Sequence, residues 1–195
     1  MKSFRGSNCA VELLNELPND AVVFFHNLSY DIRMLSKHGI TSGITKGKKT
    51  MKAEIGFEGK KITFRDSYSI IPNKLSSFPK MFNLGKVQKE LYPYKYYTLE
   101  RLESNVGVIA EAGENEDVKW TDNEYKIFNE NIDRIDGCRL SETTFDMYKY
   151  CQFYCEQDVT LLCSGMKVFR DGFMSDFNID SFKFISISAL ADEVF

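Results

Sequence analysis

Ala21-Val22-Val23-Phe24-Phe25-His26-Asn27-Leu28-Ser29-Tyr30-Asp31 is the stretch that decides the fold class. Its first five residues form a continuous apolar run of strand length. Such a run predicts a central strand buried on both faces, as in sheets flanked by helices. His26-Asn27 marks its end. From Leu28 to His38 the spacing of Leu28, Ile32 and Leu35 predicts a short helix, capped by Asn27 or Ser29 in front and stopped by Gly39 behind. Asp31 then falls in the first helical turn. There the positive end of the helix dipole favours an ionised carboxylate, the form a hard-cation ligand must take.

Upstream, Cys9, Val11, Leu13, Leu14 and Leu17 have helical spacing, and Pro18-Asn19-Asp20 ends that helix in a turn. Downstream, residues 50–57 and 61–66 are extended segments around Glu58-Gly59-Lys60, the mark of an antiparallel hairpin, so the sheet is expected to be mixed. Residues 67–97 contain Pro72, Pro79 and Pro93 and read as loop, short helix around Leu75, Phe78, Met81 and Phe82, then loop. Residues 101–117 scatter Gly, Asn and Glu without a period and predict an exposed excursion. Thr121-Asp122-Asn123-Glu124 opens a further helix as a capping box. Over about 144–170, Tyr148, Cys151, Cys155, Val159, Leu162, Met166 and Phe169 recur at steps of three and four and give a long helix one apolar stripe. The remainder, 171–195, has no evident partner in this core.

The 195 residues, 43% hydrophobic and 27% charged, suit a soluble globular domain and exclude disordered and fibrous classes. No stretch approaches the roughly 18 apolar residues of a membrane span, and Met1 to Gly6 lacks the apolar core of a signal peptide, so an intracellular protein without membrane contact is expected. Five cysteines without a Cys-x-x-Cys argue against zinc, and only two histidines exclude a multi-histidine metal site. Cys151, Cys155 and Cys163 are expected to act as small buried apolar residues. The net charge of −3 hides an asymmetry: residues 37–95 carry thirteen Lys/Arg against four Asp/Glu. Interleaved with Phe57, Phe64, Tyr68, Phe78, Phe82, Tyr92, Tyr94, Tyr96 and Tyr97, this stretch suits either a polyanion with stackable bases or a basic face over an aromatic core.

Asp158 lies on the edge of the long helix's apolar stripe, where an ionised carboxylate needs a positive partner such as a divalent metal. Tyr154 lies one turn earlier on the same side, so phenol and carboxylate can converge. A phenol of ordinary pKa near 10 is a neutral group suited to orienting a water. Asp31 can supply a second carboxylate from the end of a strand. Asn27 can hydrogen-bond a base or sugar and Tyr30 can stack on a base. The plainer alternatives are a helix-edge salt bridge for Asp158, core packing for Tyr154 and Tyr30, and a helix cap for Asn27.

The run Val23 to Asp31 resembles the second exonuclease motif of family B DNA polymerases, whose 3′–5′ proofreading nucleases have a ribonuclease-H-like fold. Tyr150-Cys151-Gln152-Phe153-Tyr154-Cys155-Glu156-Gln157-Asp158-Val159 resembles their third. Phe64-Arg65-Asp66-Ser67-Tyr68 and Lys89-Glu90-Leu91-Tyr92-Pro93 are similar to the protein-primed branch found in viruses, linear plasmids and self-synthesising transposons. The resemblance covers nearly the whole chain.

It implies that Asp31 and Asp158 bind Mg²⁺ or Mn²⁺ in a two-metal site, that Tyr154 positions the water, and that Lys89 assists. It also implies that His26, Asn27, Tyr30 and Ser67 hold the single-stranded primer 3′ end, with Tyr68 standing where leucine is usual. Residues 1–170 are then a partial exonuclease domain and 171–195 the start of the connection to a polymerase domain. A terminal protein is the partner implied for the intact enzyme.

One departure matters: the first motif, Asp-x-Glu on a strand ahead of Asn27, has no match in residues 1–26. Asp122-Asn123-Glu124 comes too late and has a capping explanation. Poor hydrolysis of DNA, or none, is therefore expected of this chain. The rival readings are a non-catalytic single-strand-binding module or mobile-element relic, and an RNA-processing exonuclease.

Overall fold

Glu58 and Gly59 both take positive φ, 48° and 77°, the backbone of the two-residue turn that matches strand twist. They close the hairpin of β3 (Lys49–Phe57) and β4 (Lys60–Asp66), antiparallel as the sequence predicts. The computed structural model describes residues 1–85, 90–114 and 118–194. Two compact units divide the chain, one of Met1–Lys86 with Leu162–Phe195, the other of Val87–Leu161.

In the first unit α1 (Cys9–Glu16) leads into β1 (Val22–Phe25), which pairs parallel with β4 so that Phe25 lies opposite Asp66. The sheet is mixed, in the order β1-β4-β3-β2, where β2 is Ile40–Lys46. Ala10, Leu14, Leu28, Ile32 and Leu35 pack with Ala53, Ile55, Ile62 and Phe64 into its core.

Three expectations fail here. β1 stands at the sheet edge rather than its centre, and Val22 is 53% exposed, because no described strand covers its second side. The predicted helix 28–38 shrinks to α2 (Ile32–Leu35) and a 3₁₀ turn, with Asp31 at the N-cap position and no side-chain cap. Gly39 does end it, in the left-handed region at φ 93°. The sequence reading also lacks β2 (Ile40–Lys46), which is exposed at every position and so carries no apolar alternation to reveal it.

The tail finds a partner after all. The Phe182 ring lies 5.0 Å from Phe24, Arg65 donates to the carbonyls of Phe182 and Phe184, and Leu190 on α8 (Ile187–Val194) is fully buried.

The second unit has its own core of Tyr96, Ile109, Phe128, Ile132, Phe145, Met147 and Tyr150. α6 (Asp122–Arg134) begins with the predicted capping box, Thr121 and Glu124 each satisfying the other's backbone. Residues 101–117 are not an excursion: α4 (Leu99–Ser104), β5 (Val106–Val108) and α5 (Ile109–Ala112) occupy the described part, and β5 pairs with β6 (Thr144–Asp146). Gly107 explains the missing period, since a Cβ there would sit 2.4 Å from the Phe145 ring.

α7 (Met147–Phe177) runs further than predicted and buries a different face. Met147, Tyr150, Tyr154, Leu161 and Met166 are buried, whereas Cys155 and Val159 are exposed. Tyr154 thus belongs to the covered stripe and Asp158, one turn on, is half-buried, while Met166 is buried as the spacing suggested. The cysteine expectation fails with it, because Cys155 and Cys163 are exposed, Cys151 is half-buried and only Cys138 is buried. Among the described residues no helix is long and apolar enough to cross a membrane.

Candidate active site

The first group of site residues lies where the parallel strands β1 and β4 end, the edge at which α/β sheets place ligands. Asn27 takes φ 72°, a left-handed conformation that Asn tolerates better than most residues. The turn is held by Asp66, the last residue of β4 and only 2% exposed. Its carboxylate accepts from Asn27 N–H at 2.8 Å, Leu28 N–H at 3.3 Å, Tyr68 N–H at 3.1 Å and the Ser69 hydroxyl at 3.2 Å. These four donors make an ionised carboxylate tolerable at that depth. Asp66 was not among the candidates; the signal was an acid ending a predicted strand, hidden behind the motif beside it.

Asp31 follows from this turn. Its carboxyl is pushed above the usual carboxylate range, first by burial and further by the Asp66 charge, while its own backbone N–H opposes the shift. The helix-dipole expectation is therefore reversed: a four-residue helix offers too little dipole to offset desolvation. Tyr30 is 68% exposed with Arg33 near its ring, leaving a free aromatic face.

His26 and Ser67 are turned inward. His26 Nε2–H donates to the Asn73 carbonyl at 2.9 Å, its Nδ1 pairs with the Ser67 hydroxyl at 3.0 Å, and Ser67 donates to the Phe25 carbonyl.

The second group lies on α7 in the other unit. Tyr154 is 7% exposed, stacks on Tyr92 with centroids 4.4 Å apart, and shares a hydroxyl hydrogen bond with the 60% exposed Tyr94. It also hydrogen-bonds Asp158 one turn on. Burial above all, then the Tyr94 and Asp158 contacts, drive the phenol far above its ordinary pKa, so Tyr154 is a permanently neutral donor. The segment before it is anchored: buried Glu90 accepts from Asn131 and Arg134 at 2.8 Å each, and Tyr150 donates to the Leu91 carbonyl. Lys89 lies outside the described residues. Tyr92 and Tyr94, which frame the Tyr154 hydroxyl, were read in the sequence only as part of an aromatic run.

Asp31 and Asp158 are the hard oxygen donors that a magnesium or manganese ion takes. Among the described residues no three His, Cys, Asp or Glu side chains gather as a metal site.

A mixed α/β chain with a strand-end carboxylate and a helical Tyr-x-x-x-Asp pair now meets its relatives. Residues 15–195 match the family model of type B DNA polymerases, organellar and viral, and the chain belongs to that family. Three curated proteins named probable DNA polymerase are similar to it. That of Ascobolus immersus is 25% identical over 94% of this chain and 16% of its own length. That of Podospora anserina is 28% identical over 69% of this chain and 10% of its own length, and that of Neurospora intermedia 27% over 89% and 18%. The chain thus spans less than a fifth of the length of these relatives. No solved structure matches it.

Proposed function

We propose that the chain is the 3′–5′ exonuclease region, ribonuclease-H-like in fold, of a protein-primed family B DNA polymerase acting in DNA replication. The observation that carries this reading is the Tyr154 phenol bonded to the Asp158 carboxylate on successive turns of α7, with Tyr92 stacked on its ring and Tyr94 on its hydroxyl. Two side chains on one hydroxyl and a third stacked on its ring are more than core packing requires.

In this reading Asp31 and Asp158 are ligands for Mg²⁺ or Mn²⁺, which when bound activates a water and stabilises the leaving oxygen. Tyr154, held neutral, orients the water by hydrogen bonding. Asn27 and Tyr30 take the primer end, Tyr30 by stacking on its free face. His26 and Ser67 support the Asn27 turn from beneath, and Lys89 assists the reaction. The whole polymerase joins deoxynucleotides with a terminal protein as primer.

Hydrolysis by this chain is expected to be slow, since only two of the implied carboxylates are in its sequence. A non-catalytic single-strand-binding module is the second reading, favoured by the missing Asp-x-Glu. Manganese titration followed by electron paramagnetic resonance separates them. The exonuclease reading expects binding that weakens at least tenfold in Asp31→Asn and in Asp158→Asn. It fails if the chain binds no manganese, or if both variants bind as the native chain does.

A further inference from the structure

Tyr94 is the exposed member of the aromatic group around the buried Tyr154, and both lie in the second unit. Its ring stands edge-on to Tyr92 and to Tyr154, with centroids 5.0 Å and 6.0 Å away, and its hydroxyl shares a hydrogen bond with the Tyr154 hydroxyl. The backbone beneath it is a tight turn: Tyr94 N–H donates to the Tyr92 carbonyl at 3.0 Å and Tyr96 N–H to the Pro93 carbonyl at 3.1 Å. The side chain can turn about its own bonds while this turn stays closed, and exposed side chains change rotamer within picoseconds to nanoseconds. We propose that Tyr94 is a gate on the Tyr154 hydroxyl: it holds the place that an attacking water would take, and it must turn outward before Tyr154 can orient that water. This rests on the exonuclease reading above and names how the same site is regulated.

Hydrogen-bond capacity gives the reason. A phenol offers one proton and two acceptor lone pairs, and an ionised carboxylate only accepts. Tyr154 therefore gives its proton to Asp158 and receives that of Tyr94. A water that is to attack phosphorus keeps a lone pair of its oxygen for phosphorus and donates a hydrogen to the group that orients it. It needs a lone pair of the Tyr154 oxygen, and Tyr94 is already donating there. Water and Tyr94 thus compete for one acceptor on a side chain that is otherwise covered. Two edge-on ring contacts and a single shared hydroxyl are all that the printed geometry sets against the outward turn. Tyr94→Phe keeps the ring and removes the donor, whereas Tyr94→Ala removes the gate itself.

The test uses the full chain and hydroxyl-radical footprinting, with oxidation of each tyrosine read by tandem mass spectrometry. Oxidation of Tyr154 is expected to rise by about fivefold in Tyr94→Phe, the population shift that one neutral hydrogen bond supplies, and further in Tyr94→Ala. Tyr150, fully buried on the same helix, should label as in the native chain, since only a loosened fold would expose both. Cleavage of a 3′-labelled oligodeoxythymidylate with manganese is the second readout. It should quicken by a similar factor in Tyr94→Phe, and the gain should vanish when Tyr154→Phe is added. The proposal is overturned if Tyr154 labels in both variants as in the native chain, or if Tyr94→Phe cleaves no faster than the native chain. A chain that binds no manganese and cleaves in no variant removes the exonuclease reading as well, so the two failures are distinguishable.

Discussion

Asp31 and Asp66 are two carboxylates at one strand-end turn, and their surroundings separate their roles. Asp66 is satisfied by three backbone N–H groups and one hydroxyl, and acts as the post on which the Asn27 turn is hung. Asp31 is partly desolvated without comparable donors, and its neighbour's charge raises its pKa further. A carboxyl whose folded pKa is raised gives stability that is fully present below the unfolded value of 3.8 and is lost as pH climbs through the folded value. Above that window the charged Asp31 works against folding. Asp31→Asn removes the charge while keeping the shape. Its unfolding temperature should exceed the native chain's near neutral pH, and the difference should vanish as pH falls below 3.8. Thermal melts across that range check this; a variant less stable at neutral pH, or a difference independent of pH, contradicts it.

The elements show which signals a sequence carries. The β3–β4 hairpin and the α6 capping box were legible because turn chemistry and caps are local, set by Glu58-Gly59 and by Thr121 with Glu124. The α7 helix was legible too, but its buried face was not. Cysteine and valine look apolar, yet Cys155 and Val159 face solvent while Tyr154 is covered, and only the neighbours decide. The Asn27-to-Asp31 and Tyr154/Asp158 motifs could be read from residue order alone. Asp66, Tyr92 and Tyr94 could not, because their roles arise from pairings across about forty to sixty residues.

Gly165 belongs to the same class. A Cβ there would lie 2.3 Å from Phe78 Cδ2 and 3.0 Å from Phe82 Cδ2, and Phe78 is fully buried. Gly165→Ala gains up to about 1 kcal/mol of helix propensity, but overpacking typically costs about 1–3 kcal/mol. A lower urea midpoint, corresponding to a loss of about 1 kcal/mol of stability, is expected. A stabilised variant would mean that α3 (Phe78–Met81) yields without cost.

At the scale of the whole chain the proposed reading asks how a molecule of net charge −3 would bind a polyanion. The charge is unevenly distributed: thirteen Lys/Arg stand against four acids between 37 and 95. The aromatics of that stretch divide between core and surface. Phe64, Phe78 and Tyr96 are core, whereas Tyr94 is exposed. In the first unit the β2–β3 hairpin contributes Lys46 and Lys49 to a cavity of about 170 Å³ that also includes Tyr68, Ser69, Ser186 and Ser188. Lys49 Nζ sits 4.9 Å from the Tyr68 ring centroid, so charge and stacking surface coincide.

Single strands release counterions on binding, with log affinity falling against log salt by about 0.7 per phosphate neutralised. The chain should therefore bind a labelled oligonucleotide more weakly as salt rises. Lys49→Ala should reduce that slope by about 0.7 if its ammonium neutralises one phosphate. Fluorescence anisotropy over a salt series measures both. An affinity indifferent to salt, or a Lys49→Ala slope equal to the native one, would mean that the basic stretch is only a solvated surface.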